Sequence, residues 1–270
     1  MFKKVLIANR GEIATRIIDV LKEMGISSVA VCSEAELQAV HTLAADEFVC
    51  VGGPLSQASY LNAEAILEAA KKTGADAIHP GYGFLSENAG FSEACAQAGI
   101  TFIGPPPEVI RNMGDKQSAR SIARSLGVPV VPGSAALVDN DDAALGVAEE
   151  IGFPVLVKAA GGGGGIGMEV AREPGRLAKA IKKCQKRAER AFGDGRVYLE
   201  KYIEAPHHIE VQVFFDTHGK GVHLFERECS IQRRHQKVVE EAQSPFVGED
   251  DTLRQSLIDA SMKLASGIGY

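Results

Sequence analysis

Lys158 closes an apolar run, Pro154-Val155-Leu156-Val157, and three residues later the chain reads Gly161-Gly162-Gly163-Gly164-Gly165-Ile166-Gly167. An ammonium beside a stretch without Cβ atoms suits a phosphate ligand. Backbone N–H groups can turn toward an anion at close range there, and the lysine adds a compact positive charge. Met168, Val170 and Arg172 then resume a period of two, so the segment reads as strand, glycine flap, strand. Gly162-x-Gly164-x-x-Gly167 has the spacing of a dinucleotide fingerprint, but that motif opens a helix, and an alternating strand follows here. No G-x-x-x-x-G-K-[ST] occurs, which excludes a P-loop. A flexible linker calls for Ser and other polar residues around the glycines, not an apolar strand.

Other residues of suitable type lie elsewhere. Lys116 follows Gly114-Asp115 at a predicted helix N-terminus, where unsatisfied N–H groups favour anions, although a capping Asp115 with an incidental lysine fits the pattern nearly as well. Glu200-Lys201-Tyr202-Ile203 ends a strand between two lobes and can offer backbone groups to a purine, with a carboxylate for its exocyclic amine. Taken alone it is a mixed strand. Arg233-Arg234-His235-Gln236-Lys237, near Glu240-Glu241, has the charge to hold an anionic substrate, but charge counting favours an ion-paired surface loop. His79, before Pro80-Gly81-Tyr82-Gly83, ends a strand where ligands of open α/β sheets bind; a turn histidine is an equally plain account.

The elements that position these residues follow from periodicity. Val5 to Ala8 forms a strand, with Asn9 and Glu12 placed as a capping box and Ile13, Ile17, Leu21 and Met24 on one helical face ending at Gly25. Further strands are expected over Ser28–Cys32, Phe48–Val51, Ala75–His79 and Ile100–Ile103, and helices over Asn62–Lys72 and Asn88–Gln97. Strands alternating with helices predict a doubly wound parallel sheet over residues 1–103. Gly104-Pro105-Pro106-Pro107 is a stiff connector opening a linker with one helix, residues 104–130. Residues 131–203 read as a small α+β lobe, with helices at Asn140–Ile151 and Pro174–Phe192 around the flap and a strand at Val197–Tyr202. From residue 204, two alternating runs joined by Thr217-His218-Gly219-Lys220 predict a hairpin, Ser230–Glu241 is dense in charge, and Asp250–Gly267 is a helix.

The 270 residues are 45% hydrophobic and carry a net charge of −6, enough apolar content for real cores and no basic block for nucleic acid. Five scattered cysteines without C-x-x-C suit a reducing compartment rather than disulfides or zinc. The N-terminus carries no signal h-region or membrane span, so a cytoplasmic protein with small-molecule or protein partners is expected.

Beyond these arguments, several motifs occur in one order: Ala8-Asn9-Arg10-Gly11-Glu12-Ile13-Ala14, His79-Pro80-Gly81-Tyr82-Gly83-Phe84-Leu85-Ser86-Glu87-Asn88, Met113-Gly114-Asp115-Lys116, the glycine flap, Glu200-Lys201-Tyr202, and Gln232-Arg233-Arg234-His235-Gln236-Lys237-Val238-Val239-Glu240-Glu241-Ala242. Together they resemble the biotin carboxylase component of biotin-dependent carboxylases, from Asn9 to Tyr270. The resemblance implies an ATP-grasp enzyme: residues 131–203 would be its small lobe and 204–270 the start of an incomplete large lobe. In that family ATP phosphorylates bicarbonate to carboxyphosphate, and the carboxyl group passes to N1′ of biotin.

By the same resemblance Lys116 and Lys158 bind ATP phosphates, and Gly163, Gly164, Gly165, Gly167 and Met168 close over them. Glu200, Lys201 and Ile203 meet adenine. His208, Gln232 and His235 line the nucleotide site, Glu210 supports it, and Lys237 holds bicarbonate. Mg2+ is the implied metal, and biotin on a carrier protein or domain, a carboxyltransferase component and a second copy in a homodimer are the implied partners. Two departures stand out. Ile166 replaces a basic flap residue, and the family's acidic Mg2+ ligands and general base fall beyond Tyr270, so the chain is expected to be an N-terminal portion without activity of its own. A nucleotide- or partner-binding module without catalysis, and another ATP-grasp ligase, are the remaining readings.

Overall fold

Val5, Leu6 and Ile7 point alternately to opposite faces of β1 (Lys4–Ile7), and all three are fully buried because helices cover both faces. The computed structural model describes residues 1–134, 141–160, 167–233 and 236–270, and the chain divides into two compact units, Met1–Gly114 and Asp115–Tyr270. In the first, β1 is followed by α1 (Gly11–Glu23), β2 (Ser27–Ser33), α2 (Val40–Ala44), β3 (Glu47–Gly52), α3 (Ala63–Thr73), β4 (Ala77–His79), α4 (Ala89–Gln97), β5 (Thr101–Phe102) and α5 (Pro107–Gly114). The sheet is parallel throughout, in the order β3-β2-β1-β4-β5. Leu6, Val29, Val31 and Ile78 pack with Ile66 and Phe91 on one face; Val5, Ile7, Ala30 and Ala77 pack with Ile17, Ile18 and Leu21 on the other. This is the α/β parallel sheet expected from the alternating pattern.

The capping box expected at Asn9 does not form. Arg10 is the N-cap of α1 and has no side-chain cap. Asn9, 3% exposed, instead donates from Nδ2 to the Pro80 and Tyr82 carbonyls, both at 2.8 Å, while Glu12 accepts from the Tyr82 hydroxyl at 2.5 Å. Buried long-range acceptors outcompete a solvent-facing local cap, because an unpaired buried amide costs more than an unmade cap.

The second unit contains α6 (Lys116–Ser125), α7 (Asp141–Ile151), β6 (Val155–Ala159), β7 (Met168–Ala171), α8 (Pro174–Phe192), β8 (Val197–Lys201), β9 (Ile209–Phe215), β10 (Gly221–Arg233), β11 (Gln236–Glu241) and α9 (Asp251–Gly267). β6 lies between β7 and β8, antiparallel to both. Its alternation sends Val155, Val157 and Ala159 into a core with Ala144 and Ala148 of α7, Leu177, Ile181 and Cys184 of α8, and Val197 and Leu199 of β8. Lys158 is thereby left on the opposite face. A second antiparallel sheet runs β11-β10-β9, with α9 packed on β9 and β10.

Arg233, Gln236 and Lys237, read from sequence as part of an ion-paired surface loop near Glu240-Glu241, lie in strands instead, and β11 is exposed along its whole length. An edge strand facing solvent shows no apolar alternation, and charged side chains are its usual protection against unwanted pairing. Among the described residues, no helix is long and apolar enough to cross a membrane.

Candidate functional site

Lys158 faces Tyr198 across the β6–β8 pair and Leu156 faces Glu200, so Lys158 and Glu200 are diagonal neighbours on the face turned away from the core. Lys158 Nζ donates to Glu200 Oε2 at 2.8 Å and lies 5.7 Å from the centre of the Tyr198 ring. Arg120 of α6 donates through Nη1 to Glu200 Oε1, so each carboxylate oxygen meets one cation. Burial opposes charge on Lys158, but the hydrogen bond it donates to Glu200 wins and holds its ammonium above the usual lysine value. Lys116 moves the other way. Burial, and then the positive charge of Lys158, push it below the usual value. Asp115 caps α6 by accepting from Ser118 N–H at 2.7 Å, so the helix start that carries Lys116 is fixed.

A short segment, Pro132 to Ser134, is laid along β8. Pro132 O accepts from Lys201 N–H at 2.7 Å, Ser134 N–H donates to Leu199 O at 2.8 Å, and Ser134 Oγ accepts from Leu199 N–H at 3.1 Å. Gly133 is required there: a Cβ would stand 2.5 Å from Arg120 Nη2 and 2.6 Å from the Leu199 carbonyl oxygen. Two buried donors on α6, Arg120 Nε and Gln117 Nε2, have no partner among the described residues. Buried orphan donors are uncommon enough to suggest an acceptor that binds there.

Lys201 turns elsewhere, its Nζ donating to the Gly152 and Phe153 carbonyls at 2.8 and 2.9 Å and tying β8 to the turn before β6. Ile203 is half exposed and Met168 half buried. Gly167 closes the flap with φ +77°, and a Cβ there would meet that of Ala159 at 2.9 Å; its carbonyl accepts the Cys184 thiol at 2.8 Å. Gly163, Gly164, Gly165 and His235, together with Ile166, lie outside the described residues.

A second ionic cluster forms on β9–β11. Glu210 Oε1 accepts from Arg227 and Oε2 from Lys237; Arg227 also reaches Glu240 at 3.0 Å. His208 Nε2 lies 3.7 Å from Glu210 Oε2, and its Nδ1 meets Gln232 Nε2 at 2.7 Å. The sequence-selected residues thus fall into two groups, Lys116, Lys158 and Glu200 in one, His208, Glu210, Gln232 and Lys237 in the other. Arg120 and Arg227 complete these groups and were not among the residues selected; Arg120 carries no local signal of a partner 80 residues away, whereas Arg227 faces Glu210 across the β9–β10 hairpin, where cross-strand register was the signal. His79 accepts Gly81 N–H on Nδ1 at 3.1 Å, and burial holds it below the usual imidazole value.

Residues 115–270 match the carbamoyl-phosphate synthase L chain, ATP binding domain, and residues 1–110 match the biotin carboxylase N-terminal domain. The combination defines an ATP-binding protein of the biotin-dependent carboxylase type. A biotin carboxylase of Halalkalibacterium halodurans is 54% identical over 270 residues, all of this chain and 59% of its own length. Among solved structures, a biotin carboxylase–β-γ-ATP complex from Campylobacter jejuni is similar with a TM-score of 0.92 at 48% identity, covering all of this chain and 60% of that one. The biotin carboxylase domain dimer of Hydrogenobacter thermophilus 2-oxoglutarate carboxylase, in complex with MgADP, ADP and bicarbonate, reaches 0.89 at 48%, covering all of this chain and 59% of that one. The chain belongs to the biotin carboxylase family, and it spans about 60% of the length of these relatives.

Proposed function

We propose that the protein carrying this chain is a biotin carboxylase, and that the chain supplies its nucleotide-phosphate site. The observation that supports this most is the cluster at Glu200. Two cations, Arg120 and Lys158, each take one oxygen of a partly buried carboxylate, and among the described residues Arg120 Nε and Gln117 Nε2 of the same helix have no acceptor. Two cations on one carboxylate leave an excess of one positive charge, which in a partly desolvated setting is unfavourable alone and favourable around a polyphosphate.

In this reading Lys116 and Lys158 hold ATP phosphates, and Gly163, Gly164, Gly165, Gly167 and Met168 form the lid that excludes water. Glu200, Lys201 and Ile203 stand at the adenine; both Glu200 oxygens are already engaged, so backbone groups of this strand end are left for the purine edge. His208, Gln232 and His235 line the nucleotide site, Glu210 orients Lys237, and Lys237 draws bicarbonate. A bicarbonate oxygen attacks the γ-phosphorus, the bond to ADP breaks, and carboxyphosphate forms. Its decomposition to CO2 and phosphate lets N1′ of biotin, on losing its proton, take the carboxyl group. The cations stabilise charge spread over the transferring phosphoryl oxygens.

Mg2+, held with ADP in the Hydrogenobacter structure, would supply further neutralisation of phosphate charge. The residues present do not suit it. Among the described residues, the group with metal-ligand spacing is Glu210, Cys229 and Glu240, within 4.8 Å. Arg227 and Lys237 already occupy both Glu210 oxygens, and a thiol is a poor ligand for so hard a cation. We further infer ATP-grasp lobes at 131–203 and from 204 onward, biotin on a carrier, a carboxyltransferase component and a second copy as partners, and a cytoplasmic location.

The test is transfer of labelled bicarbonate to free biotin with MgATP, run on this chain and on the product of its uninterrupted gene. Bicarbonate-dependent carboxybiotin from the longer product is the expected result. ATP turnover without bicarbonate, or no carboxybiotin from either, overturns the assignment.

A further inference from the structure

We propose that Arg120 is a positioning residue of the phosphate site, holding Glu200 so that the carboxylate orients Lys158 without cancelling its charge. The inference rests on the nucleotide-binding reading above and adds a residue to it.

Arg120 follows Lys116 by four residues on α6, so the two share a helix face. Its side chain is 12% exposed and that of Glu200 13%. Nη1 donates to Glu200 Oε1, and Nη2 donates to the Val131 carbonyl at 2.9 Å. One guanidinium therefore ties three parts together: the helix that carries Lys116, the segment beside β8, and the carboxylate that holds Lys158 Nζ. Gly133 makes room for it, since any Cβ there would strike Nη2. The arrangement leaves Arg120 Nε buried without an acceptor among the described residues.

The charge balance says what the brace is for. Without Arg120, both oxygens of Glu200 are open to Lys158, and the carboxylate draws that ammonium more fully to itself. Arg120 takes one carboxylate oxygen, and Lys158 keeps a single bond to the other. An ammonium has three donors, and with Glu200 and Tyr198 beside it Lys158 keeps at least one for a phosphate oxygen. A lysine at position 120 would keep the charge but could not reach both Glu200 and Val131 O, because it lacks the fork.

The experiment titrates the chain with ADP and with adenosine, for wild type, Arg120→Lys, Arg120→Met and Arg120→Met with Glu200→Gln, each checked by thermal melting. Arg120→Met is expected to weaken ADP roughly tenfold, the scale of one charge-assisted hydrogen bond, and adenosine by less than about twofold, since only phosphate binding depends on Lys158. Arg120→Lys should fall between. Adding Glu200→Gln to Arg120→Met should recover part of the ADP affinity, because Lys158 is then released. If Arg120→Met does not melt cooperatively, Arg120→Lys carries the same comparison.

Unchanged ADP binding in Arg120→Met or Arg120→Lys overturns the proposal. So does equal loss for ADP and adenosine, or further loss in the double variant. If wild type binds adenosine and ADP equally, or neither, the phosphate-site reading itself falls, and this inference with it.

Discussion

The two ionic clusters of the second unit are made of the same parts and balanced differently. At Glu200, Arg120 and Lys158 take one oxygen each, two cations to one carboxylate, in a setting where Arg120 and Glu200 are nearly buried. At Glu210, Arg227 and Lys237 take the two oxygens, and Glu240 joins Arg227, so two cations meet two carboxylates, each a quarter to two-fifths exposed. A one-to-one cluster gains little from another anion. A partly desolvated excess of positive charge gains a great deal, because its interactions are less screened. On the proposed reading the first cluster is the one suited to a polyanion, while in the second Lys237 is held by Glu210.

The largest effect should come from removing the central cation of the first cluster. Lys158→Met deletes the ammonium that the strand alternation places on the open face, and ADP affinity should fall by roughly ten- to a hundredfold, one to two strong charge-assisted bonds. The melting temperature should move little, since Arg120 still pairs Glu200. Isothermal titration beside a melt separates the two, and equal ADP affinity in the variant would remove the distinction between the clusters.

Next in size is the space that lets the first cluster form. Gly133→Ala puts a methyl 2.6 Å from a backbone carbonyl that cannot swing away, and 2.5 Å from Arg120 Nη2, which can. The expected cost is about 1–3 kcal/mol, typical of forced overpacking, and denaturant unfolding would measure it. A variant as stable as wild type would mean that the segment beside β8 is not held as the hydrogen bonds indicate.

How much of this was legible in the sequence depends on how local each interaction is. The boundaries of α8 were readable, because Pro174 at its first turn and Gly193 just past Phe192 act on their own neighbourhood. The turn at Thr217–Lys220 was equally plain, and β9 and β10 pair across it. Lys158 on an open strand face followed from a period of two. The role of Arg120 did not, since its partner is 80 residues away and no spacing rule connects them. Asn9 misled for the same reason: its local chemistry fits a cap, but acceptors at Pro80 and Tyr82 claim it. β11 was hidden because an exposed edge strand has no apolar face to show.

In the second cluster the expected effects are smaller and of another kind. Glu210→Gln should cost under about 1 kcal/mol at pH 7, because its partners are a third or more exposed and solvent screens them. The same change leaves Arg227 and Lys237 facing one carboxylate, Glu240, so the cluster acquires an excess of one positive charge. A small anion such as phosphate should then bind the variant more tightly than wild type, most clearly at low salt. If both bind it alike, balance is not what separates the two clusters.

The smallest effect is a slope with pH, and its sign follows from Glu210. Burial by itself would raise this carboxyl, but the hydrogen bond from Lys237 and the charge of Arg227 prevail and hold it below its usual value of 4.5. A carboxyl with a depressed folded-state pKa binds fewer protons when folded than when unfolded near that value. Its stabilisation is therefore complete above about pH 4.5 and is lost as pH falls through the folded-state value. Glu36, held down chiefly by Arg10, and Glu228, held down chiefly by Ser230, act in the same direction, so the whole chain should lose stability on the acid side. Glu210→Gln removes one such group, and its acid slope should be the shallower one in urea unfolding between pH 6 and pH 3. Convergence of the two curves at the acid end is the expected mark of a pair that holds only while Glu210 is ionised; curves that stay parallel would show that Lys237 and Arg227 contribute nothing through it.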